Sequence, residues 1–74
     1  MDKRTLSMYK VADEPTRWKI RHFVRSIPDP QTREMFRLHF IAGYSYAQTA
    51  KQLGGGMTKE CVYSRITRFF AHDF

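Results

Sequence analysis

Residues 43–70 read GYSYAQTAKQLGGGMTKECVYSRITRFF, and the fold turns on what the three glycines in the middle are for. Before them, Ser45 offers a hydroxyl at a helix start, and Gln48 three residues on completes a capping box. Tyr46, Ala50 and Leu53 then recur on one helical face. After the glycines, Thr58 is a second cap, with Lys59 and Glu60 in the first turn. Val62, Ile66, Phe69 and Phe70 form the apolar face of the helix that follows, which is expected to end near His72. The stretch predicts a short helix, a tight turn and a longer helix, a helix-turn-helix pattern. Glycine accepts the positive φ that reverses a chain between two closely crossing helices. Ala50, four residues before Gly54, is small enough to let those helices approach.

Turning Val62, Ile66 and Phe69 inward leaves Glu60, Ser64, Thr67 and Arg68 on the outer side of the last helix. Lys59 and Tyr63 then lie at its N-terminal edge and Arg65 on the other flank. This set combines hydrogen-bonding groups suited to base edges with cations suited to phosphates. In helix-turn-helix proteins the N-terminal part of the second helix enters the major groove. Thr58 and the unpaired N–H groups at the helix start can hold a phosphate. The competing explanation is a solvated helix face. GGGMTKE is not a phosphate-binding P-loop, because the spacing and the preceding strand are missing.

Upstream, Asp13-Glu14-Pro15 is a helix start, with a capping carboxylate, an acidic first turn and a proline where no N–H is needed. Ile20, Phe23, Val24 and Ile27 follow on one face. Pro28 ends that helix; Asp29 then caps the next and Pro30 takes its first position. This next helix is expected to run to about Ala42. Met35, Leu38, Ile41 and Ala42 lie on one side, Phe36 and Phe40 nearly opposite, and Gly43 is the stop. A helix apolar on two sides sits between neighbours. Residues 1–12 read as an N-terminal arm or a short helix, and residues 13–74 as one helical domain. No strand pattern of useful length occurs, so the fold class is all-α, a small bundle of about four helices.

The 74-residue chain carries 13 Lys and Arg against 7 Asp and Glu, a formal charge of +6. A basic excess on a small domain points to a polyanion, most often nucleic acid. Eleven aromatic residues (six Phe, four Tyr, one Trp) are enough for one small core and argue against disorder. The single cysteine, Cys61, excludes an internal disulfide and fits a reducing cytoplasm. No apolar run reaches the roughly 20 residues that span a bilayer, and no signal-peptide core stands at the start.

Residues from about Asp29 to Phe70 resemble the promoter-reading C-terminal module, region 4, of bacterial sigma factors. REMFRLHFIAGYSYAQTAKQLG and MTKECVYSRITRFF carry the likeness, most of all RLHFIAGYSYAQTAKQLG. The nearest type is the small phage or mobile-element regulator with a sigma-like helix-turn-helix, such as the ArpU and RinA activators. The resemblance implies transcription regulation through sequence-specific binding of double-stranded DNA in a bacterial or phage-infected cell. It also implies that Thr58, Lys59, Glu60, Tyr63 and Ser64 read the groove, with Thr67 and Arg68 on bases or backbone further along. Gly55 and Gly56 depart from the pattern by lengthening the turn. The polymerase-core-binding portion of a sigma factor is absent, so a complete sigma role is not expected.

Further backbone contacts are assigned to Arg17, Arg21, Arg25, Lys51 and Arg65, although the row Arg17, Arg21, Arg25 reads more readily as a solvated flank. Trp18 lies off the core face. It is expected to pack under the N-terminal arm with Leu6, Met8 or Tyr9, or else to meet a protein partner, as Phe74 would. A homodimer or RNA polymerase is the expected partner beside DNA, since one motif covers few base pairs. The alternative function is a protein-binding module that engages RNA polymerase or another partner by imitating a sigma domain. His22, His39 and His72 lack metal-ligand spacing, with or without Cys61. No catalytic set is legible, so no metal, no cofactor and no enzyme activity are expected.

Overall fold

In the computed structural model, which describes residues 1–71, the chain is all-helical. Helix α1 spans Lys3–Ser7, α2 Glu14–Arg25, α3 Pro30–Phe36, α4 Tyr46–Leu53 and α5 Lys59–Phe70; α3 continues as a π-helical turn over Arg37–Ile41. Every α-helix starts on a side-chain cap. Asp2, Asp13 and Asp29 accept from the N–H groups of Thr5, Thr16 and Thr32 at 2.9, 3.0 and 2.9 Å. The Ser45 hydroxyl accepts from Gln48 N–H, while the Gln48 side chain accepts from Ser45 N–H, so the capping box is complete. Thr58 accepts from Cys61 N–H. Each cap satisfies a donor that the first helical turn would otherwise leave open, at about 1 kcal/mol apiece.

Helix α3 is the centre. It and its π turn pack against α2, α4 and α5. Met35, Phe36, Leu38 and Phe40 are all buried, so both of its apolar sides are covered, whereas Ala42, expected inside, is exposed. Phe36 has no exposed surface; its ring centroid lies 4.8 Å from Phe69, 5.2 Å from Phe40 and 5.8 Å from Phe70. Ile20, Val24 and Ile27 of the α2 side and Val62 and Ile66 of α5 close the core around it. The π turn shows in the Ala42 N–H bond to Arg37 O at 2.9 Å, and Gly43 then stops the helix with φ 82°.

Helix α1 raises the helix number to five. Leu6 is completely buried in the common core, so the N-terminal segment folds back onto the bundle. Two arginines hold it there. Arg17 donates to the carbonyls of Tyr9 (3.0 Å) and Lys10 (2.7 Å), and Arg21 donates to the Tyr9 hydroxyl and to Glu14. Trp18 does not pack under this segment. It is 59% exposed and stacks on His22 one turn further along α2, with ring centroids 5.1 Å apart. Arg17 and Arg21, rather than Trp18, are the α2 side chains that hydrogen-bond to the N-terminal segment.

The connection from α4 to α5 holds three glycines in succession with φ 68°, 62° and 79°. Gly54 carries ψ −159°, a conformation open essentially to glycine alone. A Cβ at Gly54 would meet nothing within 4 Å, so the requirement is torsional rather than steric. Gly54→Ala is expected to cost about 1–3 kcal/mol in urea unfolding; a loss under about 0.5 kcal/mol would mean that the turn relaxes freely.

Thr49, on α4, is fully buried; it completes the face of Tyr46, Ala50 and Leu53 at helical spacing, and only its polarity kept it off the expected core. Its Oγ1 has no hydrogen-bond partner among the described residues. Replacing a buried, unpartnered hydroxyl by a methyl of the same shape removes a desolvation cost. Thr49→Val is therefore expected to leave the unfolding free energy unchanged or raise it by about 1 kcal/mol, and a clear drop would reveal a hidden partner for the hydroxyl.

Candidate nucleic-acid interface

The inward face of α5 fixes what its outward face shows. Val62 and Ile66 are buried and Phe69 and Phe70 pack partly against the core, so Lys59, Glu60, Tyr63, Ser64, Thr67 and Arg68 are all exposed. Among the described residues, none of these six side chains makes a hydrogen bond or ion pair within the chain. Thr58 is exposed too, at the start of the same helix, but its hydroxyl is committed to the cap. The seven residues assigned to the reading face thus share one side of one helix, in keeping with a 3.6-residue repeat.

The surface they form is not flat. Tyr46, Lys59, Glu60, Tyr63 and Ser64 line a shallow cavity of about 370 Å³ where α4 meets α5. A second, of about 340 Å³, lies between Glu60, Cys61, Ser64, Arg65 and Arg68. Hydrogen bonding to Thr58, side chain first and then backbone, lowers the Cys61 thiol below its ordinary value of 9.0.

Other arginines and lysines, beside Lys59 and Arg68, divide into tied and untied groups. Arg17 and Arg21 are taken up in holding the N-terminal segment. Arg65 donates to Gln31 at 2.7 Å and approaches Asp29 at 3.9 Å, which ties the flank of α5 to the start of α3. Arg33 donates to the Ile27 carbonyl, and Arg37 pairs with Glu34. Arg25 and Lys51 are exposed on α2 and α4. Phe74 lies outside the described residues. Among the described residues no group of three or more His, Cys, Asp and Glu is placed to hold a metal ion, and no helix is long and apolar enough to cross a membrane.

One feature beside the reading face has no counterpart in the sequence pattern. His39, Tyr46 and Tyr63 form an aromatic ladder from the π turn through α4 to α5. His39 stacks on Tyr46 at 4.3 Å and Tyr46 meets Tyr63 edge-on at 5.4 Å. At the far end the Lys3 ammonium lies 6.0 Å from the Tyr63 ring centroid, so α1 reaches the same surface. The His39 Nδ1–H donates to the Tyr44 carbonyl at 2.8 Å, which sets the tautomer. The only local signal for the ladder was aromatic character; its three rings come from the π turn, α4 and α5, and the cation beside it from α1.

Compared with protein-family models, with curated proteins and with solved structures, the chain matches none.

Burial pushes the His39 pKa below its ordinary 6.5; the Tyr44 carbonyl opposes this and nearby Lys3 adds to it. As pH falls through 6.5 the unfolded chain takes up a proton that the folded chain still resists, so stability falls with falling pH in that window. Above it, both states are neutral and His39 contributes no slope. Thermal melts between about pH 7.5 and about pH 5 should show this decline, and His39→Gln should flatten it. An equal decline in that variant would assign the proton uptake elsewhere.

Proposed function

We propose that the protein is a sequence-specific, double-stranded DNA-binding transcriptional regulator whose α5 enters the major groove. The observation that carries this reading is the α5 face. Lys59, Glu60, Tyr63, Ser64, Thr67 and Arg68 are exposed together and make no internal hydrogen bond or ion pair among the described residues, on a chain of net charge +6. Ser64, Tyr63, Glu60 and Thr67 offer donors and acceptors to base edges, and Lys59 and Arg68 offer cations to phosphates. Thr58 and the first turn of α5 lie where a phosphate binds. In this reading α4 crosses the backbone and the glycine turn lets α5 drop into the groove. The likeness of residues 29–70 to sigma region 4 supports the same assignment and a bacterial or phage setting. One α5 spans only a few base pairs, so a second copy or RNA polymerase completes the recognition.

A second reading is favoured by one observation, the exposed Trp18 stacked on His22. In it the chain is a protein-binding module docking on polymerase or another partner. Salt separates the two, because counterion release makes DNA binding fall steeply with salt and an aromatic contact barely responds.

Titration of labelled duplexes at two salt concentrations is the test. Binding should be tight at low salt, salt-sensitive and sequence-dependent. Ser64→Ala should reduce discrimination among sequences by about fivefold, as the loss of one hydrogen bond of about 1 kcal/mol would. Arg68→Ala should weaken binding to all sequences alike and lower the salt slope by about one. A folded protein that binds no duplex at low salt would overturn the reading in favour of the protein-binding module.

A further inference from the structure

Resting on the DNA-binding reading, we infer that the short N-terminal helix belongs to the same interface and that the Lys3 ammonium contacts a backbone phosphate beside the groove occupied by α5. Neither the charge pattern of α5 nor its resemblance to a known module reaches this far upstream. The juxtaposition that carries the inference is Lys3 Nζ at 6.0 Å from the ring of Tyr63, a residue of the reading face 60 positions away in sequence.

The position of this contact on the surface matters. Tyr63 meets Tyr46, the first residue of α4, edge-on at 5.4 Å, so Lys3 stands where the beginning of α4 meets the middle of α5. When the second helix of such a pair lies in the major groove, the first crosses the sugar–phosphate backbone. A cation at that junction faces the strand bordering the groove. The positive charge of Lys3 is also felt by His39 at the other end of the ladder. Glu60 lies on the same surface, but among the described residues Lys3 forms no ion pair with it or any other carboxylate. Lys3 is half-buried, and among the described residues its one directed contact is with an aromatic face, worth about 0.5–2 kcal/mol, weak enough to yield to a phosphate.

The presentation is also rigid. Leu6 is fully buried, Asp2 caps α1, Arg17 holds the Tyr9 and Lys10 carbonyls, and Arg21 holds the Tyr9 hydroxyl. A lysine on a free arm would lose chain entropy on binding, whereas Lys3 is already on an ordered helix, so less of the interaction is offset. Arg17 and Arg21 thereby act as positioning residues: they are drawn from the α2 row and spent inside the fold, and the cation they bring to the surface is Lys3.

The experiment compares the unaltered protein, Lys3→Gln, Lys3→Arg and Lys19→Gln on one labelled duplex between about 50 mM and about 200 mM salt. Lys19 is an exposed lysine of α2 whose charge acts on Asp13, and its loss removes the same unit of charge. Lys3→Gln should lower the salt slope by about one, so that its deficit against the unaltered protein shrinks about threefold across that range, with the ranking of sequences kept. Lys3→Arg should restore the slope, and Lys19→Gln should leave it in place. In parallel, bound duplex should protect Lys3 from amine acylation, read by mass spectrometry on the unaltered chain. A parent slope retained in Lys3→Gln, an equal loss in Lys19→Gln, or an unprotected Lys3 would each overturn the inference while leaving the DNA-binding reading intact. Failure of the unaltered protein to bind duplex would remove both.

Discussion

The burial of Phe36 is the contact on which the other arrangements depend. Its ring, fully enclosed, is shared between Phe40 on its own helix and Phe69 and Phe70 of α5, and Phe69 in turn meets Phe23 of α2 edge-on at 6.2 Å. Phe36 and Phe69 together thus join three helices in a chain of 74 residues, a size at which a single core is barely sufficient. Aromatic pairs in offset or edge-on geometry add about 0.5–1.5 kcal/mol beyond the area they bury. The functional consequence is rotational. Once Val62, Ile66, Phe69 and Phe70 are committed to Phe36 and its neighbours, α5 has one orientation about its axis, and Ser64, Thr67 and Arg68 have only one side to occupy.

The basic excess is sorted by the fold into two roles. Arg17, Arg21, Arg33, Arg37 and Arg65 reach carbonyls, a phenol, an amide or carboxylates within the chain. Each guanidinium offers five donors in a planar fork, which suits it to tie two backbone carbonyls at once, as Arg17 does. A total charge therefore says nothing about where on the surface the unpaired cations lie. On α5 the cations left without such ties are Lys59 and Arg68.

What was legible in the sequence was local. The caps at Asp13, Asp29, Ser45 and Thr58 act over three residues, so their signature is contained in a short window. The inward faces of α2 and α5 follow the helical period, and the outward face of α5 follows from them by geometry alone. What was not legible depends on contacts between distant segments. Leu6 became a core residue only because the chain folds back, and the α2 side chains that meet the returning segment are Arg17 and Arg21, with Trp18 left exposed beside them. Thr49 lies three residues after Tyr46 and four before Leu53, on the face the helical period marks, but a hydroxyl does not announce a core position. The π turn over Arg37–Ile41 has no marker among its residues, yet it carries His39 to Tyr44 and Tyr46. The ladder that brings Lys3 to Tyr63 joins α1, the π turn, α4 and α5, and no spacing rule connects them.

The glycine turn between α4 and α5 has a narrower task than setting the angle of α5. Gly54 N–H closes α4 on the Ala50 carbonyl at 3.0 Å, and Gly54 O accepts from Met57 N–H at 3.1 Å across Gly55 and Gly56. Both middle residues have positive φ, the signature of a mirror-image β-turn. Met57 is half-buried against the core, which pins the far side of the turn. The relative placement of α4 and α5 is then held by packing, with Ala50 on one helix and Val62 and Ile66 on the other, all buried. A chain reversal built from three glycines contributes little rigidity of its own. It is tolerable here because the helices it joins are capped at both starts and meet through small and branched side chains. Gly55 and Gly56 can lengthen the connection without moving the outward face of α5, since the constraint on that face is Phe36 and the core and not the path of the backbone between the helices.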